Sequence, residues 1–234
     1  MSPVGPEKQL LLIGAARGLG CALAEQYLRR GWHVVATQRS EVGSNLPALA
    51  RTYGRQLEIE ALDILYPERV AALHTRLGGK SFDMLFVNAG VKNDDSETIA
   101  TVSTDEFIRV MVTNALSPMR VIETLQDLVT RSGTIAVMSS GQGSVSNNTN
   151  GNYEVYRGSK AALNTFMRSF AARHAGDSRT LLLMAPGWVR TDMGGPNGRL
   201  SIDESIPNLA NTIDAQAGRG GLQYLDYLGK TVPW

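Results

Sequence analysis

The stretch Gln9–Arg30 restricts this chain more than any other. The apolar run Gln9-Leu10-Leu11-Leu12-Ile13 passes without a break into Gly14-Ala15-Ala16-Arg17-Gly18-Leu19-Gly20, and a helical pattern follows from Cys21 to Arg30. Strand, Gly-rich turn and helix in that order make a nucleotide site. The glycines let the backbone turn sharply and approach a pyrophosphate, which then sits at the helix N-terminus. The spacing is G-x-x-x-G-x-G, not G-x-G-x-x-G, so a βα turn of purely structural use stays open as the other reading.

The alternation continues down the chain. Trp32–Thr37 reads as a strand, Leu46–Tyr53 as a helix, Leu57–Leu62 as a strand closed by Asp63, and Pro67–Leu77 as a helix. Phe82–Val87 is an apolar strand ending in Asn88-Ala89-Gly90, small residues that would let a cofactor approach the backbone. A long helical pattern then runs from Thr104 to Val129 with Asn114 near its middle, and Ile135–Met138 ends in the pair Ser139-Ser140. After a polar loop, Gly141–Gly151, a helix opens near Asn152. The strand Arg179–Met184, an irregular segment Pro186–Asn208 and a last short strand Leu222–Tyr227 complete the chain. Long loops at strand ends are usually lids or substrate loops, which places a substrate loop at about 188–208. The fold class expected is α/β: one domain over 1–234 with a Rossmann-type, doubly wound parallel sheet of about seven strands and helices on both faces.

Composition narrows the setting. Of 234 residues 43% are hydrophobic and 19% charged, and the net charge is +1 with no long block of one sign, so neither nucleic acid nor a membrane surface is an expected partner. The single cysteine, Cys21, permits no internal disulfide, suits a reducing compartment and reads as core filler. Met1–Lys8 lacks a secretory pattern, and no apolar run approaches the roughly 18 residues of a membrane span. A cytoplasmic protein is expected. His33, His74 and His174 stand without ligand spacing, so no metal is expected.

In such folds ligands bind outside the carboxyl ends of the strands. An acid at the end of the second strand would hydrogen-bond a ribose 2′-hydroxyl, whereas arginine accommodates a 2′-phosphate. No acid is found there. Arg39 stands beside the position and Arg17 comes from the Gly-rich turn, a pairing that favours NADP(H), with two solvated surface arginines as the alternative. On the helix after Asn152, Tyr156 and Lys160 lie at i and i+4 and address one point. A fixed positive charge beside a phenol lowers its pKa from about 10, which makes Tyr156 a candidate acid–base group. Asn114 is a poor helix-interior residue, from which a functional or packing role is suspected; a surface Asn is the alternative.

Together these residues resemble the classical short-chain dehydrogenase/reductase family over essentially the whole chain. The likeness rests on Gly14, Gly18 and Gly20, Asn88-Ala89-Gly90, Asn114, Ser140, Tyr156-x-x-x-Lys160 and Pro186-Gly187. Pro186–Gly195 and the terminal Gly229-x-x-x-Pro233-Trp234 look like the sniffer-type carbonyl reductases and bacterial C-factor proteins. The resemblance implies an NADPH-dependent reductase of ketones, aldehydes or quinones. Ser140 would hydrogen-bond the carbonyl oxygen, Tyr156 would protonate it, Lys160 would lower the tyrosine pKa and hold the nicotinamide ribose, and Asn114 would support a water leading to Lys160. Asp63 and Ile64 would meet the adenine, with Leu19 and Asn88–Gly90 lining the cofactor. Pro186, Gly187, Val189 and Thr191 would serve its nicotinamide end. Gln142, Tyr153, Trp188 and Met193 are candidate substrate contacts. Family members commonly pair through the helices carrying Asn114 and Tyr156, so a homodimer or homotetramer is implied. The likeness also permits a regulatory protein of the C-factor type, and alcohol oxidation or action on acyl-thioesters or imines. Two departures stand out: Ile13 where the family has a Thr that braces the turn, and Val87 for the first Asn of Asn-Asn-Ala-Gly.

Overall fold

The computed structural model describes residues 7–234, so the expectation for Met1–Lys8 falls almost wholly outside it. Seven strands form one sheet in the order β3-β2-β1-β4-β5-β6-β7. They are β1 (Gln9–Ile13), β2 (His33–Gln38), β3 (Leu57–Ala61), β4 (Phe82–Val87), β5 (Val129–Met138), β6 (Thr180–Ala185) and β7 (Gly221–Asp226). Every neighbouring pair is parallel, and the order reverses between β1 and β4.

Successive strand residues point to opposite faces, and each face has its own core. Leu11, Ile13, Leu85, Val87, Ile135 and Leu183 pack with α3 (Pro67–Arg76), α5 (Ser117–Leu125) and α6 (Glu154–Arg173). Leu10, Leu12, Met84, Phe86, Met138 and Met184 pack with α1 (Gly18–Arg29) and α7 (Ile202–Gln216), with α2 (Leu46–Tyr53) at the edge. The doubly wound sheet expected from the alternation is therefore what forms. Cys21 is buried, as its reading as filler requires, and Met138 and Met184 lie in the core. Among the described residues no helix is long and apolar enough to cross a membrane.

Two expected elements differ. The helical run Thr104–Val129 is α4 (Thr104–Met111), a π turn (Val112–Leu116) and α5, and Val129 already belongs to β5. Pro118 supplies a reason for the irregularity: it has no N–H to give the Asn114 carbonyl its i+4 partner. The irregular segment also ends earlier than Asn208, because α7 begins at Ile202. Ser201 and Glu204 form a capping box there, the serine side chain accepting the Glu204 N–H at 3.1 Å and the glutamate accepting the Ser201 N–H at 2.6 Å. The loop is thus 186–201, and Pro207, expected within the irregular segment, sits inside the helix.

Candidate active site

The carboxyl end of the sheet brings the candidate residues together from several separate segments. The turn after β1 comes first. Gly14 has φ +86°, and a Cβ on it would fall 2.7 Å from the Ala89 nitrogen. A Cβ on Gly20 would strike the Gly14 carbonyl and the Asn88 amide. Glycine is thus the residue that lets β1, α1 and the Asn88–Gly90 segment close on one another. Asn88 Nδ2 donates to the Gly14 carbonyl at 2.7 Å. The hydroxyl lost at Ile13 is replaced from the neighbouring strand: Thr37 Oγ1 accepts the Gly14 N–H at 2.9 Å. Sequence reasoning missed Thr37, since nothing marks a strand threonine as a brace for another strand's turn.

α1 opens from this turn. Arg17 precedes it in extended conformation and offers no side-chain cap, and the first turn has no acid, so the N-terminal N–H groups are open to an anion. Arg17 and Arg39 are both exposed at this end of the sheet. Arg17 lies 3.6 Å from Asp192, and a Cβ on Gly18 would be 4.0 Å from Thr191 Cγ2, so the loop 186–201 reaches the turn. Asp63 uses one carboxylate oxygen to accept the Leu65 N–H at 3.0 Å. Ile64 and Val189 are buried, at 5% and 3% exposure.

Asn114 is fully buried, which overturns the surface alternative. Its Oδ1 accepts the Val91 N–H at 2.8 Å, and its Nδ2 donates to the Val91 carbonyl at 2.8 Å and to Ser159 Oγ at 2.9 Å. Ser159 in turn donates to the Tyr156 carbonyl at 2.7 Å. The side chain of Asn114 thus ties the π turn to the segment after β4 and to α6, leaving its main chain for any water.

Tyr156 and Lys160 share the inner face of α6. Lys160 Nζ is 5.9 Å from the centre of the Tyr156 ring and donates to the Met138 carbonyl at 2.9 Å. A Cβ on Gly90 would lie 3.5 Å from that nitrogen and 3.3 Å from Asn114 Oδ1, so all three meet. The expected lowering of the tyrosine pKa is not found. Burial pushes the phenol up to about 12, a hydrogen bond with Ser140 opposes the rise, and Tyr224 adds to it. Burial also pushes Lys160 down to about 8. The ammonium is held at the Met138 carbonyl, and the phenol remains a neutral donor at neutral pH.

Ser140, half-buried at the end of β5, is the serine that meets Tyr156. Its Oγ accepts the Gln142 N–H at 3.2 Å, which leaves its own proton to give. Ser139 faces the interior and donates to Asn164 Oδ1 at 2.6 Å. Of the candidate substrate contacts, Gln142 and Tyr153 bracket the loop between Ser140 and Tyr156. Tyr153 precedes α6 in the left-handed region at φ 61°. Trp188 folds onto its own loop through Nε1 to the Gly194 carbonyl at 2.7 Å, and Met193 is 40% exposed. Among the described residues no three His, Cys, Asp or Glu side chains gather where a metal could be held.

A family model described as enoyl-(acyl carrier protein) reductase matches residues 14–212. A Burkholderia multivorans structure, described as a short-chain dehydrogenase/reductase with bound NADP, is 58% identical with a TM-score of 0.96, over 98% of this chain and 100% of that one. The chain belongs to the short-chain dehydrogenase/reductase family. Within it, a carbonyl reductase from Pseudomonas aeruginosa PAO1 in complex with NADP is 34% identical, with a TM-score of 0.91, over 97% of this chain and 100% of that one. C-signal of Myxococcus xanthus is 34% identical over 154 residues, 65% of this chain and 92% of that protein. Carbonyl reductase Sniffer of D. melanogaster is 26% identical, with a TM-score of 0.88, over 97% of this chain and 100% of that one.

Proposed function

We propose that the chain is an NADPH-dependent reductase of ketones, aldehydes or quinones, acting in the cytoplasm, with Tyr156 as proton donor. The observation that carries this reading is the convergence of Ser140 and Tyr156, whose phenol stays neutral, with Lys160 one turn along the same helix and 5.9 Å from the ring. The open N-terminus of α1 and the glycine-lined approach of β1 to Ala89 fit a pyrophosphate. Arg17 and Arg39 would hold the 2′-phosphate and Asp63 the adenine, while Asn88–Gly90, Thr191 and Lys160 would flank the nicotinamide half. The chemistry NADPH supplies when bound there is hydride delivery to the carbonyl carbon. Ser140 donates a hydrogen bond to the carbonyl oxygen as negative charge develops on it, and Tyr156 gives that oxygen its proton. Tyr156, part-exposed, recovers its proton from solvent, while Lys160 stays at the Met138 carbonyl as the cation one helical turn away.

The complexes of the Burkholderia and Pseudomonas relatives with NADP support the cofactor. Exposed Phe107 and Ile108 on α4, Leu116 in the π turn with Asn114 and Phe166 on α6 with Tyr156 support a homodimer or homotetramer. The C-signal relative favours a second reading, a regulatory protein that binds NADP(H), and the 3-oxoacyl-[acyl-carrier-protein] reductase of Escherichia coli, 29% identical over 221 residues, favours acyl-thioester substrates.

NADPH and NADH consumption against ketones, aldehydes, quinones and a 3-oxoacyl thioester decides between them. NADPH-specific turnover is expected, and Tyr156→Phe should bind NADPH normally yet lose about 10²–10⁴-fold in kcat. Turnover that survives in Tyr156→Phe would remove the proton-donor role. Tight NADPH binding with no turnover would move the assignment to the regulatory reading.

A further inference from the structure

A second phenol lies against the Ser140–Tyr156 pair and takes no part in the proton transfer proposed above. Tyr224 sits on the edge strand β7, yet it is only 1% exposed. Its hydroxyl donates to the main-chain carbonyl of Ser140. That carbonyl also accepts the Gly143 N–H at 2.9 Å, while Ser140 Oγ accepts the Gln142 N–H at 3.2 Å. Backbone and side chain of the serine are therefore held by different groups. The turn that follows is pinned from α6 as well: Asn164 Nδ2 donates to the Gly143 carbonyl at 3.2 Å, Ser139 Oγ donates to Asn164 Oδ1 at 2.6 Å, and Lys160 holds the Met138 carbonyl. The hydroxyls of Ser139 and Tyr224 and the amide of Asn164 form one buried cluster beneath Ser140.

Tyr224 is itself firmly placed. Val232 N–H donates to its carbonyl at 2.9 Å, and its ring packs on Trp234 with centroids 5.5 Å apart. The Trp234 carbonyl accepts both the N–H of Ser146 at 3.0 Å and its hydroxyl at 2.6 Å, so the same anchor reaches the loop between Ser140 and Tyr156. A buried network whose members are all satisfied holds one geometry.

We infer that Tyr224 is a positioning residue for the reduction: by holding the Ser140 carbonyl from β7, it keeps the Ser140 hydroxyl aimed at Tyr156 and at the substrate oxygen both would address. It has that role only if Ser140 and Tyr156 work as proposed, so the positioning must be read both with and without turnover.

Tyr224→Phe removes the hydroxyl and keeps the ring. One neutral hydrogen bond corresponds to about a 2- to 10-fold fall in kcat, with KM for NADPH unchanged. Made in a Ser140→Ala background, the same substitution should cost almost nothing further, because the group it positions is gone. In the cofactor-free protein, amide exchange at Gln142 and Gly143 should quicken by a similar factor as the turn loosens. Wild-type kcat in Tyr224→Phe, an equal loss in the Ser140→Ala background, or unchanged exchange at those two amides would each overturn the inference. Faster exchange in a protein that reduces no carbonyl would instead overturn the reductase reading and leave the hold of Tyr224 on Ser140 standing.

Discussion

Lys160 is buried with its ammonium at one carbonyl, and burial alone moves its pKa from 10.5 to about 8. Between those values the unfolded chain binds more protons than the folded one, so this residue makes stability rise with pH across that window. Lys160→Met removes the effect at similar volume. Melting curves of the two proteins, taken from about pH 7.5 to about pH 10, should show the wild type gaining on the variant by up to roughly 3 kcal/mol. Parallel curves would mean that the ammonium keeps its ordinary pKa. Tyr156 has the opposite sign. Its pKa is raised to about 12, so its contribution is complete below pH 10 and is lost as pH climbs through the folded value. The i, i+4 pairing of these residues was legible in the sequence, but the direction of the tyrosine shift was not. A spacing rule brings a cation near a phenol; only the packed site sends that cation to Met138 and buries the phenol.

The element that governs the loop over the site is α7. Its capping box at Ser201 and Glu204 ends the irregular segment, and Ser205 Oγ donates to the Pro186 carbonyl at 2.6 Å, fastening the loop's other end. Arg30 reaches across from α1 to Asp214 and donates to Asn211 Oδ1 at 2.7 Å. Ser201→Ala should cost about 1 kcal/mol and lower Tm by about 2–4 °C for a chain of this size, with NADPH affinity unchanged. An unaltered Tm would show that the cap does not hold the helix start. The sequence carries the Ser201-x-x-Glu204 signature, yet Pro207 and the neighbouring glycines mask it, because helix-interior proline is tolerated only where tertiary packing offsets its lost bond. The π turn at Asn114 is hidden for a related reason: the run 104–125 is helical throughout, and although Pro118 frees the Asn114 carbonyl locally, the side-chain bonds that fix the turn go to Val91 and Ser159, distant in sequence.

Across the whole molecule, the reversal of strand order between β1 and β4 opens the crevice where the site residues meet. Arg17 and Arg39, the residues proposed for its adenosine side, are both exposed, and Arg17 lies 3.6 Å from Asp192 of the loop. Arg17→Ala with Arg39→Ala should weaken NADPH binding about 10- to 100-fold, as expected for two charge-assisted contacts to one phosphate, and leave NADH nearly untouched. Equal weakening of both cofactors would assign the arginines to the fold or to the pyrophosphate instead. By itself the sequence determined the order of strands and helices, the doubly wound sheet and the glycines of the turn, and it made the Tyr156–Lys160 pairing legible, because period, turn chemistry and helical spacing are local; Asn114 was marked only as an odd helix-interior residue, and Ser140 was singled out by the family resemblance. Only the tertiary structure decided that Thr37 braces the first turn, that Ser139 turns inward while Ser140 meets Tyr156, and that Tyr224 and Asn164 stand beneath them. Those are contacts between distant segments, and which hydroxyl or amide finds a partner there depends on packing that no local pattern encodes.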